Sequence, residues 1–549
     1  MKTTGPRAVS AGRGQRLFDR LLTRQLGLRP ETGAYTVRRG IRIPMRDGIE
    51  LLADHYAPVG DSLGTVLVRS PYGWEGINAA LYRAQFPTRG YHLLLVRCRG
   101  TFGSEGEWRP WVHEIDDGAD TVAWLRSQPW FDGRLATVGN SYLGWTQWAL
   151  LMDPPPELAA VVIQTAPHDF SLSAYSGGAL NLADWLGWSE QLAYQEHLGA
   201  MRALLRAATA TRRQAPALSW LPVADAADEL CAGRAPWFRD WAGLRDFDDR
   251  AWAPMRLADA LDRVQVPVLL QSGWQDAFLP QTRTQYERLR DRGIDVALTI
   301  GPWTHRETGS KGMSMLAPEA LGWLDRHLAG KAENPRPAPV KAFVTGANEW
   351  RDFSDWPDGT SVVCRYPTPD GGLTEQPTDG AAHFTYDPAD PTPTTGGRLL
   401  LAADGGYRDD SALADRDDVL TFTGPPLPHP LEVTGTPWVE LAHHTDNPHA
   451  DLFVRLSEVD RKGHSRNVTD GFLRLDPDRA EGVIRIDLDP VAHRFGAGNR
   501  IRLLVAGGSF PRWERNLGTD ADPSTSTRYE PSHRTLDLSA SGLHLPVRD

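Results

Sequence analysis

The chain has 549 residues, 41% of them apolar, and a formal net charge of −11. That length suits about two to four domains with an ample core. The acidic balance without a long Lys/Arg run argues against a nucleic-acid partner, and no apolar run is long enough to cross a bilayer.

The first residues, Met1 to Gln15, are basic and rich in Gly, Ser and Thr, without the apolar core of a secretory signal. Leu17, Phe18, Leu21, Leu22 and Leu26 then recur at helical spacing between arginines. Such a stripe is expected to pack on the protein's own body, with a membrane-surface helix as the alternative. Val37 to Met45 and Glu50 to Ala57 alternate on either side of Asp47-Gly48, which predicts an antiparallel hairpin. From there short apolar strands alternate with helices. Strands are predicted at 65–69, 91–96, 135–138 and 159–163, and helices at 78–88, 116–127 and 145–152. That alternation implies a parallel sheet covered on both faces.

The alternation stops at Phe170. From there to about Arg256 the chain is helical and rich in tryptophan, with a long helix expected from Ala183 to Arg206, and is read as a cap inserted between two strands. Alternation resumes with strands at 266–270 and 295–300 and helices at 281–292 and 318–328. Asn334-Pro335-Arg336-Pro337-Ala338-Pro339 reads as a stiff linker. Beyond it, short alternating segments with Gly, Pro and Asp turns predict an all-β sandwich or jelly roll. The expected division is an N-terminal extension (1–35), a catalytic α/β domain (36–169 and 257–333), a helical cap (170–256) and a β domain (338–549).

The chemistry centres on Val138-Gly139-Asn140-Ser141-Tyr142-Leu143-Gly144. A strand that turns into a helix through Gly-x-Ser-x-x-Gly has the form of a nucleophile elbow, although its second glycine falls one place late. The turn lifts Ser141 above the sheet and leaves the backbone N–H of Tyr142 free to face a developing negative charge. A serine hydroxyl needs a base, and the base needs a carboxylate. The strand ending at Leu270 is followed by Gly273-Trp274-Gln275-Asp276, and the strand ending at Ile300 by Gly301-Pro302-Trp303-Thr304-His305. Asp276 and His305 therefore follow Ser141 in the order Ser, Asp, His.

These motifs resemble those of the CocE/NonD family of serine hydrolases, which contains cocaine esterase and X-prolyl dipeptidyl-peptidase-like enzymes. Pro71-Tyr72 resembles the family dipeptide whose tyrosine hydroxyl is a second oxyanion-hole donor. The likeness continues through Glu349-Trp350-Arg351-Asp352, Tyr386-Asp387-Pro388-Ala389-Asp390-Pro391, Asp415-Arg416-Asp417-Asp418-Val419-Leu420 and Ser509-Phe510-Pro511-Arg512, and covers nearly everything from Val37 onward. It implies an α/β-hydrolase fold with a helical cap and a C-terminal all-β jelly roll. It also implies Ser141, Asp276 and His305 as catalytic residues and Tyr72 and Tyr142 as the oxyanion hole. Trp188 and Phe278 resemble positions that hold an aromatic acyl group in cocaine-cleaving relatives. Trp74, beside Tyr72, is a further substrate-binding candidate, although such tryptophans are more often core.

Three departures from the family pattern flank the expected pocket: Gly73-Trp74 after Tyr72, Arg97 in place of an acidic residue, and Gln275 in place of a tyrosine. Asp184, Glu190 and Glu196 are the cap carboxylates an aminopeptidase would need for a free amino terminus. His443, His444, Asp446 and His449 fit no strong metal pattern, so a solvated loop is expected there and no metal site. Glu105 reads as a turn anchor. Cys98, Cys231 and Cys364 are far apart and fit a reduced, cytoplasmic setting rather than a disulfide framework. The expected function is hydrolysis of an ester or amide of a small acyl substrate through an acyl-enzyme, without a cofactor. Acyl transfer, an X-prolyl aminopeptidase and a carbohydrate-binding protein are the alternatives. The oligomeric state is left open, a homo-oligomer included.

Overall fold

The computed structural model describes residues 9–10, 12–74, 77–331, 336–402 and 404–548. Most of the basic stretch from Met1 to Gln15, and Asn334 and Pro335 of the linker, lie outside the described residues.

Among the described residues, eleven strands form the central sheet. In chain order they are β1 (Val9–Ser10), β2 (Tyr35–Pro44), β3 (Glu50–Pro58), β4 (Thr65–Ser70), β5 (His92–Arg97), β6 (Leu135–Asn140), β7 (Leu158–Gln164), β8 (Val268–Gln275), β9 (Val296–Thr304), β10 (Val340–Val344) and β11 (Glu349–Phe353). Their spatial order is β1-β2-β3-β5-β4-β6-β7-β8-β9-β10-β11. Every pair from β5 to β10 is parallel, and the margins are antiparallel. The inner strands are largely apolar and deeply buried because helices cover both faces; β4 and β8 are buried at every residue, their polar Arg69, Ser70, Gln271, Ser272 and Gln275 included. This is the α/β-hydrolase arrangement. It brings the carboxyl ends of β6, β8 and β9 to one edge of the sheet.

Two sequence expectations change here. Strands β10 and β11 follow the linker, in the stretch assigned to the β domain, yet they extend the central sheet: Leu298 pairs with Val340, and Ala342 with Arg351. Alternation shows that a segment is a strand but not which sheet it joins. The helix expected from Ala183 to Arg206 is two helices, α3 (Leu182–Tyr194) and α4 (Ala200–Ala208), with Gly199 extended between them at ψ 157°. A further cap helix, α5 (Ala210–Leu218), follows at once. Helix α1 (Arg13–Gln25) packs only part of its stripe. Leu22 and Leu26 are buried and Asp19 pairs with Arg83 at 3.1 Å, while Leu17, Phe18 and Leu21 stay exposed. Among the described residues no helix is long and apolar enough to cross a membrane.

The C-terminal region is all β, an eight-stranded and a four-stranded sheet face to face. Val433, Val439 and Leu441 of one sheet share a core with Leu452, Val454 and Leu503 of the other. This domain grips the central one through side chains close to the sheet edge. Gln275 Nε2 donates to Val468 O (3.2 Å), and Arg398 Nη1 donates to Ala277 O (2.7 Å). The cap is tied to it by Arg245, whose guanidinium makes two 2.7 Å bonds to Glu514.

Candidate active site

Ser141 sits between β6 and α2 (Tyr142–Leu150) at φ 56°, ψ −124°, a region that L residues enter only under strain. Its N–H is held by Gln164 O on the next strand at 2.9 Å. The flanking glycines are required by contact. A Cβ on Gly139 would lie 2.5 Å from Leu143 Cβ, and one on Gly144 would lie 2.3 Å from Ala166 Cβ. The second glycine therefore falls late because it faces Ala166, just beyond β7. The serine itself is partly exposed.

Asp276 and His305 follow the ends of β8 and β9. Those strands run in register until a shift between Gly273 and Gln275. There the loops press together, and a Cβ on Gly273 would lie 2.1 Å from Trp303 O. Asp276 is fully buried. Its Oδ1 accepts from His305 Nδ1 at 2.7 Å, and its Oδ2 accepts from Ser272 Oγ at 2.9 Å. With Nδ1 donating to a carboxylate, Nε2 is the acceptor nitrogen, and Ser141 Oγ stands 3.1 Å from it. A capping box of Thr304 and Glu307 starts the short helix that carries His305. One hydrogen-bonded line thus joins Ser141, His305 and Asp276. It can move the serine proton onto the imidazole and hold the resulting cation.

Burial holds the pKa of the Tyr72 hydroxyl above the usual phenol value. Trp188 Nε1 donates to its oxygen at 3.0 Å. Tyr142 opens α2, so its N–H has no acceptor one turn back within that helix. Its phenol is locked from beneath: it donates to Glu114 Oε1 (3.0 Å) and accepts from Trp111 N–H (2.9 Å). Glu114 in turn accepts from buried Arg69 at 2.5 Å. Ser272, Glu114 and Trp111 were not identified from the sequence as parts of the site. Glu114 precedes the predicted helix, whose acidic start carries only a dipole signal, and nothing in the sequence aims its side chain at Tyr142.

Phe278 meets the His305 ring edge-on at 5.2 Å between centroids. Trp188 stacks on Trp111 at 5.3 Å and on Trp241 at 6.0 Å. Trp74 differs from the expectation. It is buried and packs edge-on against Tyr82 at 5.6 Å, in the core rather than on a pocket wall. The turn at Gly73 brings the chain beneath Phe102, whose ring would lie 2.8 Å from a Cβ there. Two other departures also point away from the pocket: Arg97 pairs with Asp54 at 3.3 Å, and Gln275 turns to the β domain. Glu105 accepts from Glu50 N–H at 2.9 Å and anchors a turn.

A cavity of about 610 Å³ opens between α3, α4, α5 and the β domain. Arg306, next to His305, is on its wall, as is Gln195, which donates to Pro71 O at 2.9 Å. The three cap carboxylates are already engaged. Asp184 accepts from Leu400 N–H (2.7 Å), and burial lifts its pKa to about 6. Glu196 accepts from Phe102 N–H (2.8 Å), and Glu190 is held by Arg206 (2.7 Å) and Arg213 (2.6 Å). His443 is buried on a strand rather than in a solvated loop. It donates to Ala480 O at 2.6 Å, and burial holds its pKa down to about 4. Among the described residues no group of His, Cys, Asp and Glu is placed to hold a metal ion.

Residues 47–307 match the family model of the X-Pro dipeptidyl-peptidase (S15 family), and residues 334–541 match the X-Pro dipeptidyl-peptidase C-terminal non-catalytic domain. The chain is 31% identical over 538 residues to the cocaine esterase of Rhodococcus sp. (strain MB1 Bresler), covering 89% of this chain and 93% of that protein. The fold superposes on an α-amino acid ester hydrolase with a TM-score of 0.79 at 21% identity, over 95% of this chain and 98% of that one. An aminopeptidase from a marine sediment archaeon, Thaumarchaeota archaeon, superposes with a TM-score of 0.78 at 23% identity, over 94% and 96%.

Proposed function

We propose a reaction for a chain that belongs to the CocE/NonD serine hydrolases, the family of cocaine esterase and the S15 X-Pro dipeptidyl-peptidases. Ser141 attacks the carbonyl carbon of a small acyl ester or amide while His305 Nε2 takes its proton. Asp276 holds the imidazole in the tautomer that accepts at Nε2 and steadies the cation. The Tyr72 hydroxyl and the Tyr142 N–H donate to the oxyanion, and each such donor is worth about 3–4 kcal/mol in the transition state. His305 returns the proton to the leaving group. Water then cleaves the acyl-enzyme with His305 again as base. Each step uses only side chains, backbone and water.

The observation that carries this reading is the unbroken line from Ser141 Oγ through His305 to Asp276, at 3.1 and 2.7 Å. Hydrolysis is preferred over acyl transfer because Ser141 is partly open to water. An X-prolyl aminopeptidase is disfavoured because Glu190 and Glu196 are already bound by arginines and a backbone amide. The three cysteines are unpaired, which supports the cytoplasmic assignment. The test is a screen of chromogenic acyl esters against aminoacyl and peptidyl amides. Turnover of the esters above the amides is expected, and cleavage confined to amides with a free amino terminus would replace the esterase reading with the peptidase one.

A further inference from the structure

The cavity lined by Arg306, the residue after His305, and by Gln195, which is bonded to Pro71 O, carries an unbalanced charge. Its walls hold Arg206, Arg213, Arg306 and Arg512 against Glu190 and Asp404. Arg512 is neutralised in the β domain by Asp470 at 2.7 Å. Glu190 has the opposite problem. Both Arg206 (2.7 Å) and Arg213 (2.6 Å) meet its Oε1, and Gln214 Nε2 takes its Oε2 at 2.8 Å. One buried carboxylate leaves one of those two guanidinium charges uncompensated. Among the described residues the Arg306 side chain has one bond, to the carbonyl of Leu401 (3.2 Å), and Asp404 lines the same cavity.

The arginines are held in place. The Arg206 guanidinium lies 3.6 Å over the Tyr194 ring, and Arg213 also donates to Thr209 Oγ1 at 2.8 Å. Both side chains are about three-quarters buried, so salt screens them less than it would a surface charge. The rest of the wall is largely apolar, with Leu198, Leu218, Leu399 and Phe510 among it.

We infer that this cavity selects substrates with a carboxylate, or an anion of similar size, at the end remote from the scissile bond, and rejects an ammonium group there. The apolar wall takes the connecting carbons, and Arg206 and Arg213 take the charge. A guanidinium pair already sharing one carboxylate accepts a second with little rearrangement, because each fork keeps unused N–H donors. The inference rests on the hydrolase reading and adds the chemical class of the substrate.

The test uses two matched ester series on the full chain. In the first, p-nitrophenyl esters carry a neutral hexanoyl, a carboxylate-ended adipoyl or an ammonium-ended 6-aminohexanoyl group. In the second, the acetate esters of benzyl alcohol, 4-(hydroxymethyl)benzoate and 4-(aminomethyl)benzyl alcohol are followed by pH-stat. In one of the series kcat/KM for the carboxylate member is expected to exceed the neutral member by about tenfold, mainly through KM, and the ammonium member to fall below it. The double variant Arg206→Gln/Arg213→Gln should bring the carboxylate-to-neutral ratio down to about one, while Glu190→Gln should enlarge it. Turnover of the neutral esters without carboxylate preference in either series, or a ratio unmoved by both variants, overturns the inference and leaves the hydrolase reading standing. No turnover of any of the esters by the wild type would instead sink the esterase reading, and this inference with it.

Discussion

The indole N–H of Trp188 donates to the hydroxyl oxygen of Tyr72 across 3.0 Å, from the cap to the end of β4. The bond fills a lone pair on that oxygen and leaves the phenolic proton free to donate elsewhere. Tyr72→Phe should lower kcat on a neutral ester by about a hundredfold with little change in KM, because the lost bond strengthens mainly in the transition state. Trp188→Phe keeps the stacking area and removes only the donor, so a smaller fall, about tenfold, is expected. In the Tyr72→Phe background the Trp188 change should add almost nothing. Steady-state kinetics of the four proteins checks this, and additive losses would mean that Trp188 acts by some route other than Tyr72.

Gly144→Ala tests the elbow. The added Cβ would lie 2.3 Å from Ala166 Cβ and 3.2 Å from Ile163 Cγ2, so α2 must move away from the strand that supports it. Overpacking of this kind costs about 1–3 kcal/mol. A lower Tm with a larger loss of kcat than of KM is expected, since Ser141 moves with α2. A wild-type Tm would show that the close approach is not needed.

The placement of the candidate catalytic residues was legible because each stands at the end of a short, largely apolar strand beside glycines, and strands of a parallel sheet end on the same edge. Ser141, Asp276 and His305 could be placed at one height from chain order alone. What could not be read were partners set by side-chain direction. Glu190 sits on the cap helix like any polar residue, and only the fold of α4 and α5 over it brings Arg206 and Arg213 to one oxygen. Trp74 carries the same signal as Trp188, yet one ring enters the core and the other reaches Tyr72. Strands β10 and β11 alternate like those of the β domain, and hydrogen-bond partners, not sequence period, decide which sheet they join.

Asp184 should make stability depend on pH in a defined direction. Burial raises its folded pKa from 3.8 to about 6. The folded state therefore keeps a proton that the unfolded chain has already lost, and stability falls as pH rises between those values. The full effect is about 3 kcal/mol. Asp184→Asn keeps the acceptor for Leu400 N–H and removes the titration. Its Tm relative to wild type should be higher at pH 7 than at pH 4, and an equal difference at both pH values would contradict this.

Glu514 should act in the opposite sense. It is buried, and although desolvation raises its pKa, Arg245 and Arg474 outweigh this and hold it down to about 2 from 4.5. Its contribution is therefore complete above the unfolded value and is lost as pH falls from 4.5 toward 2. Since it joins the cap to the β domain, Glu514→Gln should lower Tm at pH 7 and flatten the acid limb of the stability profile. A parallel, merely shifted profile would show that the charge is not what holds the joint.

The central claim is that Ser141 carries the acyl group, and intact-protein mass spectrometry of acid-quenched turnover tests it most directly. With p-nitrophenyl hexanoate the enzyme should gain the mass of one hexanoyl group, mapped by fragmentation to Ser141 within Val138-Gly139-Asn140-Ser141-Tyr142-Leu143-Gly144. Ser141→Ala should show none. An adduct on any other residue, or undiminished turnover by the Ser141→Ala protein, would contradict the account.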